Sequence, residues 1–264
     1  MNPNGIYQMK TLELNDIEIP ILGIGTWQMH GRTCRDSVRK ALDLGYRHVD
    51  TAQMYRNEEE VGAAIRESDV PRDAIFLTTK VVQSNLAPEK VISSTHASLG
   101  RLNSDYIDLL LIHWPSATVP IPETIGAMNR LQDEGIVKHV GVSNFSVPEI
   151  QEAIKASDTP VVTNQVEYYP GGSQDRVLDY CQQNDIMLTA YSPLGKGRVM
   201  GNRTLKNISK KYGKSEAQVA LRWLIQQPNV SAIPKASTQD HIRENMEIFD
   251  FELSEEEMET IASL

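Results

Sequence analysis

The sequence predicts an α/β fold of the (β/α)8 barrel type, the TIM barrel, with an N-terminal β-hairpin and additional helices. Three observations point there. Short runs rich in Val, Ile and Leu alternate with helical patterns until eight parallel strand candidates are counted. Those runs are nearly continuously apolar, as parallel strands covered by helices should be. The length of 264 residues matches the roughly 250 that such a barrel needs. Alternation sustained this far, with no linker long enough to divide the chain, favours one closed barrel domain over residues 1–264 against a doubly wound open sheet.

Taken in order, residues 10–18 read as two short strands around Asn15-Asp16, and 19–25 as an apolar run ending in Gly23-Ile24-Gly25-Thr26-Trp27, whose glycines permit close approach of backbone or ligand. Residues 33–44 carry apolar spacing at Val38, Ala41 and Leu42 and a stop at Gly45, which predicts a helix. The expected strands are 48–50, 75–80, 106–112, 138–142, 161–166, 186–191 and 230–234. The expected helices are 58–67, 88–102, 123–134, 147–156 and 174–184, two stretches within 204–226, one beginning near Thr238 and one at Ser254.

Composition narrows the function. A formal charge of −9 argues against a surface that tracks a phosphate backbone, so no nucleic-acid partner is expected. Cys34 and Cys181 are the only cysteines and fall in separate predicted helices, which predicts free thiols and no thiolate metal site. Residues 1–10 hold no apolar signal core, and no run approaches the roughly 18 apolar residues of a membrane span. A cytoplasmic enzyme with no membrane partner is the expectation.

The chemistry concentrates at strand ends. The run 48–50 ends on Asp50, 75–80 ends on Lys80, and 106–112 runs into His113, with Tyr55 in the loop after the first. In a barrel these four would converge on the C-terminal rim, where such folds carry their sites. Reduction of a carbonyl needs a hydride donor and an acid that protonates the oxygen. Tyr55 is the candidate acid, protonated at neutral pH but a weak donor at its usual pKa of about 10. A lysine cation about 4 Å away contributes on the order of 4 kcal/mol at an effective dielectric near 20, so Lys80 is expected to lower the phenol's pKa by up to about three. Asp50 would offset the cost of burying that cation, and His113 would hydrogen-bond and orient the substrate oxygen.

Seven ordered motifs then carry a resemblance. They are Gly23-Ile24-Gly25-Thr26-Trp27; Asp50-Thr51-Ala52 with Tyr55 and Asn57-Glu58; Leu111-Ile112-His113-Trp114-Pro115; Gly141-Val142-Ser143-Asn144-Phe145; Asn164-Gln165; Tyr191-Ser192-Pro193-Leu194-Gly195; and Ile233-Pro234-Lys235. Across residues 12–253 the chain closely resembles the aldo-keto reductase family. The resemblance implies Tyr55 as acid, with Asp50, Lys80 and His113 completing a tetrad, and no metal. It also implies a nicotinamide cofactor lying extended across the rim. Ser143, Asn144 and Gln165 would hold the carboxamide while Tyr191 stacks on the ring, a reasonable match of polar groups and an aromatic face to a planar amide-bearing ring. Gly25, Thr26, Ser192, Leu194, Lys196, Lys235, Ser237, Thr238, His241 and Asn245 are the further cofactor positions it implies.

Gly195, Gly197 and Gly201 approach a dinucleotide glycine motif, but their spacing is wrong for it. The segment reads either as a short flexible loop over the pyrophosphate, with Lys196 a phosphate contact, or as a plain solvated loop. The adenosine end departs from the family's NADP pattern. Lys235 stays, but the Ser after it is Ala236, and the Arg six positions after the Lys is His241. A charge-assisted hydrogen bond is worth about 1.5–3 kcal/mol, so losing that Arg predicts a roughly tenfold to hundredfold weaker preference for NADPH. Lys235 and the amides of the helix beginning near Thr238 would retain part of the grip, while Arg243 sits on another helix face than His241. NADPH use with NADH tolerated is the expectation.

The loops after Trp114 and Tyr191 are short, and the sequence ends at Leu264 soon after its last helix, without the closing tail of narrow-specificity members. It looks like the compact microbial reductases of keto-sugars and small aldehydes, including the 2,5-diketo-gluconate type. An open pocket walled by Trp27, Met54 and Trp114, with Met29 beside them, suits aldehydes, dicarbonyls and keto-sugars. The other readings are a cofactor-sensing or interaction protein on the same barrel, and a hydroxysteroid or polyol dehydrogenase running oxidatively. A monomer is expected.

Overall fold

A computed structural model describes residues 9–264. Residues 1–8, which the expectations for the domain and for the amino terminus include, lie outside the described residues. The hairpin forms first: β1 (Thr11–Leu14) pairs antiparallel with β2 (Ile17–Pro20). Asn15 and Asp16 make the turn at φ 51° and 61°, the left-handed values that a tight hairpin requires and that Asn and Asp tolerate.

The barrel then follows as β3 (Ile24–Gly25), α1 (Gly31–Leu44), β4 (His48–Asp50), α2 (Glu58–Glu67), β5 (Phe76–Val81) and α3 (Pro88–Leu102). Next come β6 (Ile107–Ile112), α4 (Ile121–Asp133), β7 (Val137–Ser143), α5 (Val147–Ala156), β8 (Val161–Glu167), α6 (Asp175–Gln183) and β9 (Met187–Tyr191). The chain ends with α7 (Arg203–Tyr212), α8 (Glu216–Gln226), β10 (Val230–Ala232), α9 (Gln239–Met246) and α10 (Glu255–Ala262). Local signals explain several boundaries. Ser215 with Gln218, and Ser254 with Glu257, form reciprocal capping boxes that start α8 and α10.

Eight strands, β3 to β10, pair parallel in sequence order. The ends of the sheet meet: Leu22 bridges Ala232, the Gly23 N–H donates to the Ala232 carbonyl at 2.9 Å, and the Ala232 N–H donates to the Ile21 carbonyl at 2.9 Å. That seam makes a closed barrel and removes the open-sheet rival. The first strand needs correction. Residues 17–20, partly assigned to it from the sequence, belong to the hairpin, and only Ile24–Gly25 forms regular ladder with β4.

Leu14 and Ile19 of the hairpin join Phe76, Leu109, Leu111, Val162 and Met187 in one apolar cluster that plugs the N-terminal end of the barrel. The larger core lies between sheet and helices and takes the alternate strand residues, such as Leu77, Leu110, Ile112 and Leu188. Cys34 and Cys181 are buried free thiols, and burial pushes each thiol up to about 12.

Candidate active site

Strand parity builds the site. On β5, Phe76, Thr78 and Lys80 share the inward face, and on β6 and its exit Leu109, Leu111 and His113 do the same. The apolar plug fills the bottom, so polar residues at or next to the C-terminal ends of six strands, β4 to β9, land on the rim: Asp50, Lys80, His113, Ser143, Gln165 and Tyr191. Tyr55 reaches them from a 3-10 turn, Gln53–Tyr55, which leaves through Arg56 at φ 54°.

Lys80 and Asp50 are buried and paired at 2.6 Å. The Lys80 ammonium also donates to the Thr51 carbonyl at 2.9 Å and to the Tyr55 hydroxyl at 3.3 Å. The second Asp50 oxygen accepts from Gln165 Nε2 at 2.8 Å, so both carboxylate oxygens are engaged. Burial alone would pull the lysine down, yet Asp50 and Tyr55 outweigh it and its pKa lies above the ordinary value. The ammonium is therefore locked in its charged form.

Tyr55 departs from the expectation of a lowered pKa. Burial lifts the phenol above its usual value, Lys80 pulls it down, and Asp50 pushes it up again. Asp50 offsets part of the Lys80 pull on the phenol, so desolvation wins. Tyr55 is consequently a protonated donor throughout the neutral range. His113 sits edge-on to it, ring centroids 5.6 Å apart at 78°. Burial, with the Lys80 charge, pushes the imidazole down to about 3, so it is neutral at working pH. Its Nδ1 is buried, with no hydrogen-bond partner among the described residues.

Beside this group, Ser143 Oγ donates to the Gln165 carbonyl at 2.7 Å. Asn144, at φ 62°, donates from Nδ2 to the His113 carbonyl and to Ser143 Oγ, each at 3.0 Å, and its Oδ1 accepts from the Tyr191 hydroxyl at 2.9 Å. A cleft of about 230 Å3 opens over these side chains. Its walls include Gly25, Trp27, Met54 and Trp114 on one side and Ser192, Lys196, Ile233 and Lys235 on the other. Trp27, Met54 and Trp114 are exposed there, forming an apolar mouth. A larger depression, about 620 Å3, lies at the opposite end of the barrel, but Asp108 in its wall is already satisfied by the Leu77 N–H, Arg72 and Lys138. The rim cleft is where available polar groups converge.

A family model described as the Aldo/keto reductase family matches residues 21–264. The chain belongs to this family. It is thereby an NAD(P)H-dependent oxidoreductase. Glyoxal reductase of Bacillus subtilis (strain 168) is 41% identical over 251 residues, covering 95% of this chain and 90% of that protein. Methylglyoxal reductase DkgB of Escherichia coli O157:H7 is 36% identical over 249 residues, covering 93% of each. The solved structure of an aldo/keto reductase from Brucella melitensis matches with a TM-score of 0.92 at 41% identity, over 97% of this chain and 99% of that one.

Several cofactor positions expected in this reductase lie off the cleft wall: Thr26, Leu194, Ser237, Thr238, His241 and Asn245. Thr26 is buried, and its hydroxyl donates to the Asp50 carbonyl at 2.9 Å, a tie that braces the strand carrying Asp50. Lys196 is held by Glu167 at 3.5 Å and lies over the Trp27 ring at 5.5 Å, in a turn with φ 55°. Of the positions expected to meet the cofactor's adenosine end, Ala236 is buried and His241 exposed, and the His241 N–H is capped by Thr238 Oγ1 at 3.3 Å. Arg243 pairs with Asp240 at 3.7 Å. Sequence reasoning missed Ile233 in the wall and Glu167 as the partner of Lys196. Among the described residues no group of three or more His, Cys, Asp or Glu is placed to hold a metal ion, and no helix is long and apolar enough to cross a membrane.

Proposed function

We propose that this reductase converts aldehydes, dicarbonyls and keto-sugars to alcohols, with Tyr55 as general acid and a reduced nicotinamide dinucleotide as hydride source. The observation that carries the proposal is the protonated phenol at 3.3 Å from a lysine that Asp50 keeps charged, at the floor of an aromatic-walled cleft. The relatives named as glyoxal and methylglyoxal reductases support small dicarbonyl substrates.

The residues fit a nicotinamide. Asn144 Oδ1 keeps a free lone pair beside its bond from Tyr191, and Gln165 Oε1 takes no hydrogen bond from the described residues. Both suit a carboxamide lying against the half-buried Tyr191 ring. When bound, the nicotinamide supplies hydride to the carbonyl carbon. Tyr55 Oη gives its proton to the carbonyl oxygen as charge grows there, and the Lys80 ammonium stabilises the phenolate left behind. Because His113 Nδ1 is buried and unpartnered, the imidazole proton belongs on Nε2, which donates to the same oxygen. Trp27, Met54 and Trp114 exclude water and accept varied apolar substituents.

NADPH is the preferred donor with NADH tolerated, since Lys235 remains but His241 replaces the second anion contact and Arg243 is engaged by Asp240. The test is loss of reduced-cofactor absorbance with NADPH and NADH in parallel against methylglyoxal, an aromatic aldehyde and a keto-sugar. Turnover is expected, with an NADPH preference of less than about a thousandfold, the limit left by one lost charged contact. Cofactor binding without turnover of any of the three would overturn the reading.

A further inference from the structure

Behind Tyr55 and Lys80, between the sheet and its outer helices, lies a polar network that the proton transfer itself does not use. Glu58 is buried, and its Oε1 accepts from Thr79 Oγ1 at 2.6 Å. Its Oε2 accepts from Arg101 Nε at 2.8 Å and from Ser98 Oγ at 3.3 Å. Ser98 Oγ in turn accepts from Gln53 Nε2 at 3.2 Å. The same Gln53 nitrogen donates to Ser94 Oγ at 3.1 Å, while Oε1 accepts the Val82 N–H and Asn85 Nδ2, each at 3.1 Å. The carboxamide thus uses both donors and both lone pairs.

The positions it ties together bracket the chemistry. Gln53 opens the short turn that ends on Tyr55. Thr79 precedes Lys80 on β5 and Val82 lies just past the strand's end. Thr79 faces the helices because Lys80 faces the barrel. One connected set of hydrogen bonds therefore grips the chain beside Tyr55 and on both sides of Lys80. The Lys80 head is pinned independently by Asp50 and the Thr51 carbonyl, so it cannot follow a displaced phenol. At 3.3 Å the Lys80–Tyr55 bond is already at the long end of the usual range.

We infer that Gln53 is a positioning residue: by bridging the Tyr55 turn to α3 and to the exit of β5, it holds the phenol within hydrogen-bond reach of Lys80. This rests on Tyr55 being the acid. A displacement of about 1 Å at a reacting group costs up to about a hundredfold in rate.

The test is a double-mutant cycle on the full chain, with circular dichroism and cofactor binding measured for each variant. Gln53→Met keeps the shape and removes all four bonds. It is expected to lower kcat about ten- to a hundredfold with KM within about twofold. In the Tyr55→Phe background the same substitution should cost less than about twofold more, because the group it positions is gone. Gln53→Glu, whose carboxylate can still accept from the Val82 N–H and Asn85 Nδ2 but has no proton for Ser94 or Ser98, should recover part of the lost kcat. If Gln53→Met does not fold, Ser98→Ala removes one of the two bonds from Gln53 to α3 and must show the same background dependence with a smaller loss. Equal losses in both backgrounds, or no loss in the parent, overturn the positioning role. A Tyr55→Phe variant that keeps near-normal turnover instead overturns the acid assignment.

Discussion

Whether Tyr55 can act is decided by two opposing effects on one phenol. Burial strengthens its hold on the proton, and the lysine at 3.3 Å weakens it. The Tyr55→Phe variant isolates the hydroxyl. It should bind NADPH as the parent does, read by fluorescence titration, while kcat falls by roughly the 10²–10⁴ expected for a lost general acid. Retained turnover with intact cofactor binding would falsify the assignment. Asp50, Lys80 and His113 were legible in the sequence because parity is local: a polar residue ending an apolar parallel strand has only the rim to face. The sign of the Tyr55 shift was not legible. It depends on how much water the finished cleft excludes and on Asp50 cancelling the lysine field. The bonds of Gln53 were hidden for a related reason. Its partners Ser94 and Ser98 lie more than forty positions away, and no periodicity links a turn residue to a helix face.

At the scale of elements, the network depends on α2 and α3 keeping their spacing, since Glu58 rides on one and Ser94, Ser98 and Arg101 on the other. Gly62 sets that spacing. A Cβ there would overlap the Leu102 backbone carbonyl at the end of α3, and a backbone neighbour cannot swing aside as a side chain could. Gly62→Ala, normally helix-stabilising in propensity, should instead destabilise by about 1–3 kcal/mol through overpacking. For a chain of this size that is a drop of roughly 2–10 °C in Tm, read by thermal circular dichroism. An unchanged or raised Tm would show that the helices separate freely. Helix positions were legible because capping boxes and apolar spacing are short-range signals. The brevity of β3 was not, because the strand segment before it is satisfied by Ala232, more than two hundred residues later.

Burial lowers the pKa of three imidazoles, half-buried His139 and, most strongly, His48 and His113, and the last two are kept neutral at the larger cost. His48 is buried near the base of the barrel, its Nε2 3.0 Å from Thr78 Oγ1 and its ring edge-on to Phe76 at 5.4 Å, and burial pushes it down to about 4. His113 at the rim is pushed down to about 3. Both folded-state values lie below the unfolded value of about 6.5, so the unfolded chain binds more protons as the pH falls below that value. Stability therefore rises with pH across this window and is lost on acidification. Between neutral pH and pH 5 each imidazole removes about 2 kcal/mol. Together they remove about 4 kcal/mol, a large share of a typical 5–15 kcal/mol. Glu257, held down to about 2 by Lys211, Tyr212 and the Ser254 N–H despite its partial burial, keeps its contribution at pH 5, so the histidines dominate there. Tm should fall by on the order of 10 °C from pH 7 to pH 5. His48→Gln, whose amide can meet Thr78 without titrating, should halve that drop without moving the site. A variant that loses as much Tm as the parent would shift the acid sensitivity to other groups.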